Sequence, residues 1–351
     1  MKKILVTGGC GYIGSHTIVD LIENKFDPIS VDNNSRSTPA LLEGIEKITG
    51  KKVKNYKVDL CSFDETHAVF QENPDIEGVI HFAAYKTVGE SVREPLLYFE
   101  NNLLSLINIL KCVREFAVPY FIFSSSCTVY GNPDEIPVTE STPPKPAESP
   151  YGYTKQMGEQ IVSETTKTIV AQSILLRYFN PVGAHPSTLI GEMPLGKPEN
   201  LVPAITQTAI GKLPQMTVYG NDYPTRDGSC VRDYIHVCDI ANAHTLALKY
   251  LMENKNESRC EVFNLGTGNG VTVLEAINAF EKVSGVKLNY TLGPRRPGDV
   301  VAVYADNKVA KQKLGWEIRY SLEDMMATAW KWEQKLKDDE KMHNNPNFQM
   351  N

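Results

Sequence analysis

The sequence lacks an excess of positive charge, long apolar runs and clustered cysteines. Its 36 lysines and arginines are outnumbered by 42 aspartates and glutamates, and the formal net charge is −6. A chain without a basic surface is a poor match for nucleic acid or acidic lipid, so we expect neither as a partner. Any anionic ligand must therefore be held by local arginines.

The seven cysteines are scattered, with no C-x-x-C pair and no neighbouring histidine cluster. This usage is typical of reduced cytosolic thiols, and it predicts neither a disulfide framework nor a metal site. The first apolar run ends at Thr7-Gly8-Gly9, too early for the hydrophobic region of a signal peptide. No stretch approaches the roughly 18 apolar residues of a membrane span, so we expect no such span, and the cysteine usage favours a cytoplasmic protein.

What the sequence does have is an alternation of short apolar runs with amphipathic segments, which is typical of α/β proteins. We predict strands at residues 3–7, 53–58, 77–82, 119–123, 231–237 and 260–265, and long helices at 98–116 and from 150 onwards. The alternation predicts a Rossmann-type doubly wound parallel sheet with a smaller, interleaved C-terminal substrate-binding domain. The predicted division is 1–180 for the sheet domain with returning segments near 231–266, 181–335 for the second domain, and 336–351 for a polar tail that frays.

A glycine-rich turn follows the first predicted strand. Glycines at 8, 11 and 14 form G-x-x-G-x-x-G, a variant of the dinucleotide fingerprint that allows a tight turn and close approach of a pyrophosphate. Three glycines alone often mark only a loop, but here a strand precedes them, a helix follows, and Asp32 lies eighteen residues past Gly14. A carboxylate there accepts from the adenosine ribose and repels a 2′-phosphate, which favours NAD over NADP, although Arg36 could soften the repulsion.

A second motif begins where Ser149 and Pro150 predict a helix start. Tyr151 then lies in the first turn with Lys155 one turn on, on the same face. A phenol has a pKa of about 10, and a nearby ammonium and the helix dipole would favour the phenolate. Lowering the phenol pKa by about three, which corresponds to roughly 4 kcal/mol, would make Tyr151 a base at neutral pH. Taken alone, a Tyr–Lys pair stacked on a surface helix is the commoner arrangement.

Several other polar residues indicate a functional site only in combination with the Tyr151–Lys155 pair. Ser126 ends the run after the 119–123 strand and could hydrogen-bond a substrate hydroxyl, although serines there are usually turn residues. Arg232 and Arg296 could each clamp a diphosphate, although a lone arginine is more often a solvated surface residue. Lys86 is either a pyrophosphate contact or an exposed loop lysine, and the proline-rich 131–150 segment is a stiff loop or a lid.

Five longer motifs extend the argument over nearly the whole chain: V-T-G-G-C-G-Y-I-G-S-H, F-I-F-S-S-S-C-T-V-Y-G, L-R-Y-F-N-P-V-G-A-H, G-N-D-Y-P-T-R-D-G-S-C-V-R-D-Y-I-H-V and R-R-P-G-D. With them the sequence resembles the UDP-glucose (UDP-galactose) 4-epimerases of the extended short-chain dehydrogenase/reductase family. The resemblance implies a cytoplasmic enzyme of galactose metabolism that binds NAD tightly. It also implies a homodimer paired through two long helices.

The resemblance also assigns roles by position. The catalytic residues would be Ser126, Tyr151 and Lys155. Those that line NAD would be Gly8, Gly11, Tyr12, Ile13, Gly14, Asp32, Asn33, Asn34, Ser35, Asp59, Leu60, Phe82, Ala83, Ala84, Lys86, Asn101, Ser126, Tyr151, Lys155 and Phe179. Those that hold the UDP-sugar would be Lys86, Ser126, Tyr151, Asn180, Asn200, Leu201, Thr217, Val218, Tyr219, Arg232, Arg296, Asp299 and Val303. The loop after Asp32 is shorter than in some members of the family.

The implied reaction inverts carbon 4 of UDP-glucose or UDP-galactose through a 4-keto sugar and NADH. Some members carry a bulky tyrosine where this chain has Val303, so UDP-GlcNAc and UDP-GalNAc are further expected substrates. Two alternatives are a sugar-nucleotide 4,6-dehydratase and a catalytically silent NAD-sensing scaffold. A dehydratase usually has an Asp-Glu pair beside the serine, where this chain has Cys127-Thr128. The presence of Ser126, Tyr151 and Lys155 together disfavours a silent scaffold.

Overall fold

The computed structural model describes residues 1–194, 196–296 and 299–343. Its strands in chain order are β1 (Lys3–Thr7), β2 (Asp27–Val31), β3 (Asn55–Tyr56), β4 (Ile76–His81), β5 (Tyr120–Ser126), β6 (Gln172–Tyr178), β7 (Asn180–Val182), β8 (Met216–Tyr219), β9 (Val231–Arg232), β10 (Tyr234–His236), β11 (Cys260–Leu265), β12 (Val271–Thr272) and β13 (Tyr290–Gly293). Its α-helices are α1 (Tyr12–Glu23), α2 (Ala40–Thr49), α3 (Phe63–Glu72), α4 (Val88–Arg93), α5 (Pro95–Glu115), α6 (Pro150–Thr166), α7 (Leu201–Ala209), α8 (Val237–Met252), α9 (Val273–Ser284) and α10 (Leu322–His343).

A parallel sheet of seven strands organises the described part of the chain, in the order β11-β6-β5-β4-β1-β2-β3. The strand order reverses at β1, which has β2 on one side and β4 on the other. Ligands of such sheets bind outside the carboxyl ends of the strands at this reversal. The predicted Rossmann-type doubly wound sheet is therefore confirmed.

Both faces of the sheet are covered by helices. Its strands are therefore buried on two sides and are apolar at nearly every position. Ile4 and Val6 of β1 pack into a core built with α1, α2 and α8. Leu5 between them faces the opposite core, built with α3, α5 and α6. Helices α7, α9 and α10 enclose a separate core beyond the sheet, and this C-terminal lobe also contains the β8–β13 pair.

Several predicted boundaries differ from the structure. The 53–58 run pairs only at β3, on the edge of the sheet. The 231–237 run divides into β9 and β10, which pair with β12 and β7 outside the large sheet. By contrast, β11 does return to the large sheet beside β6, as predicted. The domain division at residue 180 stays a prediction.

The predicted fraying of the tail from residue 336 is wrong for its first part, because α10 continues to His343. Polar contacts replace the missing apolar pattern there. Lys337 Nζ donates to the carbonyl of Ile210 at 2.8 Å, and Lys212 Nζ pairs with Glu340 at 2.7 Å. Residues 344–351 of the predicted tail, and Pro297-Gly298 of the R-R-P-G-D motif, lie outside the described residues.

Candidate active site

A cavity of about 620 Å³ opens at the carboxyl edge of the sheet, next to the strand reversal. Most of the residues predicted to bind a dinucleotide or a sugar line it together. They are Gly8, Gly11, Tyr12, Ile13, Gly14, Asp32, Asn33, Ser35, Asp59, Leu60, Phe82, Ala83, Ala84, Lys86, Asn101, Ser126, Tyr151, Lys155, Phe179, Asn180 and Asn200.

The glycine turn forms one wall and requires its glycines. Gly8 has φ +68°, and a Cβ on Gly14 would lie 2.2 Å from the carbonyl oxygen of Gly8. Helix α1 starts directly after Gly11, which provides no side-chain cap, and its first turn carries no acidic residue. Uncapped amide groups at a helix start, reached over side-chain-free backbone, suit a pyrophosphate.

Asp32 directly follows β2 and hydrogen-bonds the glycine turn that forms this wall. Its Oδ2 accepts from the Cys10 amide at 3.1 Å, and its Oδ1 accepts from the Asn34 amide at 2.9 Å and from Ser37 Oγ at 2.7 Å. Asn34, which was predicted to line NAD, is not among the cavity residues. Its side-chain oxygen instead faces Asn55 Nδ2 at 3.4 Å, and its backbone caps the carboxylate.

The predicted catalytic residues meet on the opposite wall. Ser126 is the last residue of β5, while Ser149 Oγ caps α6 by accepting from the Gly152 amide at 3.2 Å. This cap places Tyr151 and Lys155 on successive turns facing the strand end. Ser126 and Tyr151 both line the cavity, and Lys155 Nζ lies 5.9 Å from the centre of the tyrosine ring.

The electrostatics of the pair differ from the prediction. Burial raises the pKa of Tyr151 above its usual range, and the Ser126 hydroxyl opposes this only in part. Burial also lowers the pKa of Lys155 to about 8, against the raising effect of Glu159. The pKa of Tyr151 is therefore not lowered as predicted, because burial outweighs the other effects on it; Lys155 Nζ donates to the Ser124 carbonyl at 2.6 Å.

The predicted diphosphate arginines form a second cluster beside the cavity. Arg232 Nη2 lies 3.4 Å from Asp299 Oδ1, and Arg296 Nη2 lies 3.0 Å from the same oxygen. Arg296 Nη1 also donates to the carbonyl of Glu199, a residue that lines the cavity, at 3.2 Å. Two guanidinium groups on one carboxylate leave a net positive charge next to the cleft.

The remaining sugar-nucleotide predictions lie around this cluster, outside the cavity lining. Tyr219 is exposed, with Arg296 Cζ 5.7 Å from its ring centre. Val218 beside it points into the C-terminal core, which leaves its backbone as the only part that could touch a ligand. Val303 is buried in a cluster with Phe179, which does line the cavity. The other two are Leu201, the first residue of α7, and Thr217 on β8.

Other cavity residues were not predicted. Glu192 Oε1 accepts from Lys86 Nζ at 2.9 Å and from Asn200 Nδ2 at 3.1 Å. No local pattern indicates it, because tertiary folding alone brings it to the cleft. Ser124 and Tyr178, by contrast, hydrogen-bond each other and belong to motifs that the sequence analysis identified. Ser124 lies two residues before Ser126, and Tyr178 lies one residue before Phe179. Their place beside Ser126 and Phe179 was the available signal.

All seven cysteine side chains are free thiols. Among residues 1–194, 196–296 and 299–343, no group of three or more His, Cys, Asp or Glu side chains is placed to hold a metal ion. No helix in the described part of the chain combines the length and apolar character needed to cross a membrane.

Comparison with known proteins gives consistent matches along the chain. The model of a family described as GDP-mannose 4,6 dehydratase matches residues 5–329. A UDP-glucose 4-epimerase from Bacillus subtilis is 48% identical over 331 residues, covering 94% of this chain and 96% of the relative. The chain belongs to the UDP-glucose 4-epimerase family.

Solved structures of UDP-glucose 4-epimerases share the fold closely. The Bifidobacterium longum enzyme, solved in complex with NAD⁺ and UDP, superposes with a TM-score of 0.92 at 46% identity, covering 96% of this chain and 99% of its own. The Stenotrophomonas maltophila enzyme, solved with NAD and formylated UDP-arabinopyranose, gives 0.92 at 44% identity and covers 97% and 100%. The sequence-based assignment to the UDP-glucose 4-epimerase family is therefore confirmed.

Proposed function

We propose that this protein interconverts UDP-glucose and UDP-galactose by inverting carbon 4, with NAD as a bound cofactor. The observation that carries the proposal is the position of Tyr151, Ser126 and Lys155. They line the same cavity as the glycine turn and Asp32, in a chain of the epimerase family. The glycine turn suits the pyrophosphate of NAD, and Asp32 suits its ribose.

In the proposed mechanism, Tyr151 takes the proton of the sugar 4-hydroxyl, and Ser126 hydrogen-bonds that hydroxyl and the phenol. A bound NAD⁺, held by the glycine turn and Asp32, would supply a reversible hydride acceptor for carbon 4 and a positive charge that favours a phenolate. Burial alone keeps Tyr151 protonated, so this added charge is needed. Lys155, with its pKa lowered to about 8, remains mostly charged at pH 7 and contributes to the same potential.

Inversion requires the oxidised sugar to present both faces to the cofactor. We propose that the protein binds the substrate mainly through its diphosphate, which Arg232 and Arg296 would contact. Asp299 pairs with both arginines and holds them next to each other. Charge-assisted hydrogen bonds of this kind are roughly twice as strong as neutral ones. The hexose, held by fewer and neutral groups, could then turn about its phosphate link between the two transfers.

The direct test is incubation of the purified protein with UDP-galactose and no added cofactor. We expect UDP-glucose to form, because NAD is regenerated in each cycle and stays bound. Loss of a positioned acid–base group typically costs about 10²–10⁴-fold in rate, so Tyr151→Phe should fall by at least about 10²-fold. Near-normal turnover by Tyr151→Phe would show that the assigned base is wrong.

A 4,6-dehydratase is the second function to consider, because the matching family model carries that description. Elimination of water needs an acid and a base of its own beside Ser126. Burial raises the pKa of the Cys127 thiol at that place to about 12, so it is a poor acid or base at neutral pH. Formation of a 4-keto-6-deoxy product from UDP-glucose would favour the dehydratase.

We further propose that N-acetylated sugars are accepted. Val303 shares a small apolar cluster with Phe179, which lines the cavity, and its side chain is much smaller than a tyrosine. The wild-type protein should therefore interconvert UDP-GlcNAc and UDP-GalNAc. Val303→Tyr should lose that activity while it keeps turnover of UDP-galactose. No turnover of UDP-GalNAc by wild-type protein that is active on UDP-galactose would refute the proposal.

We also propose a homodimer paired through α5 and α6, which pack side by side. Their outer faces expose Leu96, Leu97, Leu104, Ile107, Tyr153 and Met157. Exposed apolar side chains grouped on two adjacent helices are typical of an interface. Leu104→Glu should shift the molecular mass in light scattering towards the monomer, whereas Leu292→Glu, on exposed β13, should not. A monomeric wild-type protein at micromolar concentration would contradict pairing.

A cytoplasmic location is proposed from the seven free thiols, which suit a reducing compartment. Fractionation of the source cells tests it, and recovery outside the soluble cell interior would contradict it.

A further inference from the structure

The cations that line the cavity include three that are already paired with carboxylates. Lys86 pairs with Glu192, Arg93 with Glu199, and Arg36 with Glu90. The first two pairs join the sheet domain to the 185–200 segment. The third lies entirely within the sheet domain, at the end of the cavity where Asp32 is found, and it bears on which cofactor fits.

Arg36 belongs to the loop that wraps around Asp32. Two members of this loop bond the carboxylate, through the Asn34 amide at 2.9 Å and Ser37 Oγ at 2.7 Å. Arg36 stands between them and lines the cavity. In dinucleotide-binding folds the acid at the end of the second strand contacts the ribose, and a nearby arginine accommodates the 2′-phosphate of NADP. Arg36 therefore has the chemistry and the position to serve NADP.

Glu90 on α4 and Tyr85, just before this helix, hold the arginine. Arg36 Nη2 donates to Glu90 Oε1 at 2.8 Å, and its Cζ lies 4.6 Å from the ring centre of Tyr85. Glu90 Oε2 accepts from the hydroxyl of Tyr98 at 2.7 Å, and Tyr98 is fully buried. The Tyr98 oxygen in turn accepts from the Thr87 amide at 3.0 Å. Glu90 is thus fixed in place rather than a freely moving surface carboxylate.

We propose that Glu90 is a specificity-determining residue that excludes NADP by holding Arg36. The inference rests on the proposed use of a dinucleotide. Glu90 acts in two ways. It occupies the guanidinium that would bind a 2′-phosphate, and its carboxylate cancels the positive charge that would neutralise the phosphate. Because NAD has no 2′-phosphate, neither effect weakens the binding of NAD.

The test is the identity of the dinucleotide that copurifies with the protein. Wild type, Glu90→Gln and Glu94→Gln are expressed side by side, denatured, and their released NAD(H) and NADP(H) are quantified by chromatography with mass detection. Glutamine keeps an oxygen that can accept from Tyr98, and the Glu90 side chain is partly exposed, so the variant should fold. Glu94→Gln is the matched control, since Glu94 is exposed, nearby and outside the cavity lining.

A charge-assisted hydrogen bond made available to a phosphate corresponds to about tenfold or more in affinity. We therefore expect the NADP(H) fraction to rise at least about tenfold in Glu90→Gln alone. Adding Arg36→Met to that variant should cancel the gain. An unchanged fraction in Glu90→Gln, or a gain that survives Arg36→Met, would overturn the inference. Protein that carries no dinucleotide of either kind would instead contradict the proposed function, and the inference with it.

Discussion

Replacing Glu159 should destabilise the protein strongly, because this carboxylate is one half of a buried ion pair behind the catalytic wall. Glu159 Oε1 accepts from Arg177 Nε at 2.8 Å, and Oε2 accepts from Arg177 Nη2 at 2.6 Å. The two side chains are only 11% and 7% exposed. Ser125 Oγ donates to Glu159 as well, which links the pair to the end of β5 beside Ser126.

The magnitude follows from what Glu159→Gln leaves behind. The glutamine oxygen can still accept one hydrogen bond, but the guanidinium loses its counter-charge. Removing one partner of a buried pair typically costs about 3–5 kcal/mol. We expect a loss near the lower end, about 3 kcal/mol, because Arg177 Nη1 keeps its contact with the Tyr130 hydroxyl at 3.0 Å. At a denaturant slope of about 3 kcal/mol/M, the urea midpoint should fall by about 1 M.

The assay is urea unfolding followed by fluorescence, with Glu164→Gln as the control. Glu164 lies on the same helix and pairs with Lys167 at 2.7 Å, but both side chains are more than half exposed. Removing such a pair should cost at most about 1 kcal/mol. Adding Arg177→Met to Glu159→Gln should recover part of the loss, since it removes the unpaired charge. Equal midpoints for Glu159→Gln and Glu164→Gln would refute the reasoning.

Three further predictions test other parts of the molecule. Gly14→Ala should purify with little bound dinucleotide, because its Cβ would lie 2.2 Å from the Gly8 carbonyl oxygen; an unchanged dinucleotide content would contradict this. Burial lowers the pKa of His16, His81 and His236 to about 3 and that of His244 to about 4, below the unfolded value of about 6.5. The unfolded chain therefore binds more protons as the pH falls below about 6.5, and each histidine should reduce stability by up to about 1.4 kcal/mol per pH unit. His244→Met should lower that slope by one proton in urea unfolding at several pH values, and an unchanged slope would count against it. Asp233→Asn should cost about 1–3 kcal/mol in the same assay, because Asp233 accepts from the amides of Thr267, Gly268 and Ala305, and an amide cannot replace every acceptor; wild-type stability would argue against these contacts.

Sequence reasoning located the parts of the site that are local in the chain. The glycine turn, Asp32 and the Ser149–Lys155 helix start are each defined by residues within a turn or two, so spacing and capping rules apply to them directly. The motifs also indicated which segments meet, because the carboxyl ends of parallel strands share one edge of the sheet.

Features that depend on packing between distant segments were not predictable in this way. Glu192 and Glu90 reach the cleft through tertiary folding, and neither stands in a recognisable pattern. The pKa of Tyr151 was expected to fall because Lys155 is near in sequence. Burial raises it instead, because desolvation of the phenol outweighs the lowering effect of Ser126. Helix α10 extends into a polar segment because Lys337 and Glu340 pair with Ile210 and Lys212, just after α7.

The central claim is that the hydrogen on carbon 4 leaves the sugar and returns to it inside one closed site. The most direct measurement uses UDP-galactose carrying deuterium at carbon 4, incubated with the purified protein and no added cofactor. The account predicts UDP-glucose that retains the deuterium at carbon 4, and no such product from Tyr151→Phe. Loss of the deuterium to solvent, or inversion that proceeds equally well in Tyr151→Phe, would contradict it.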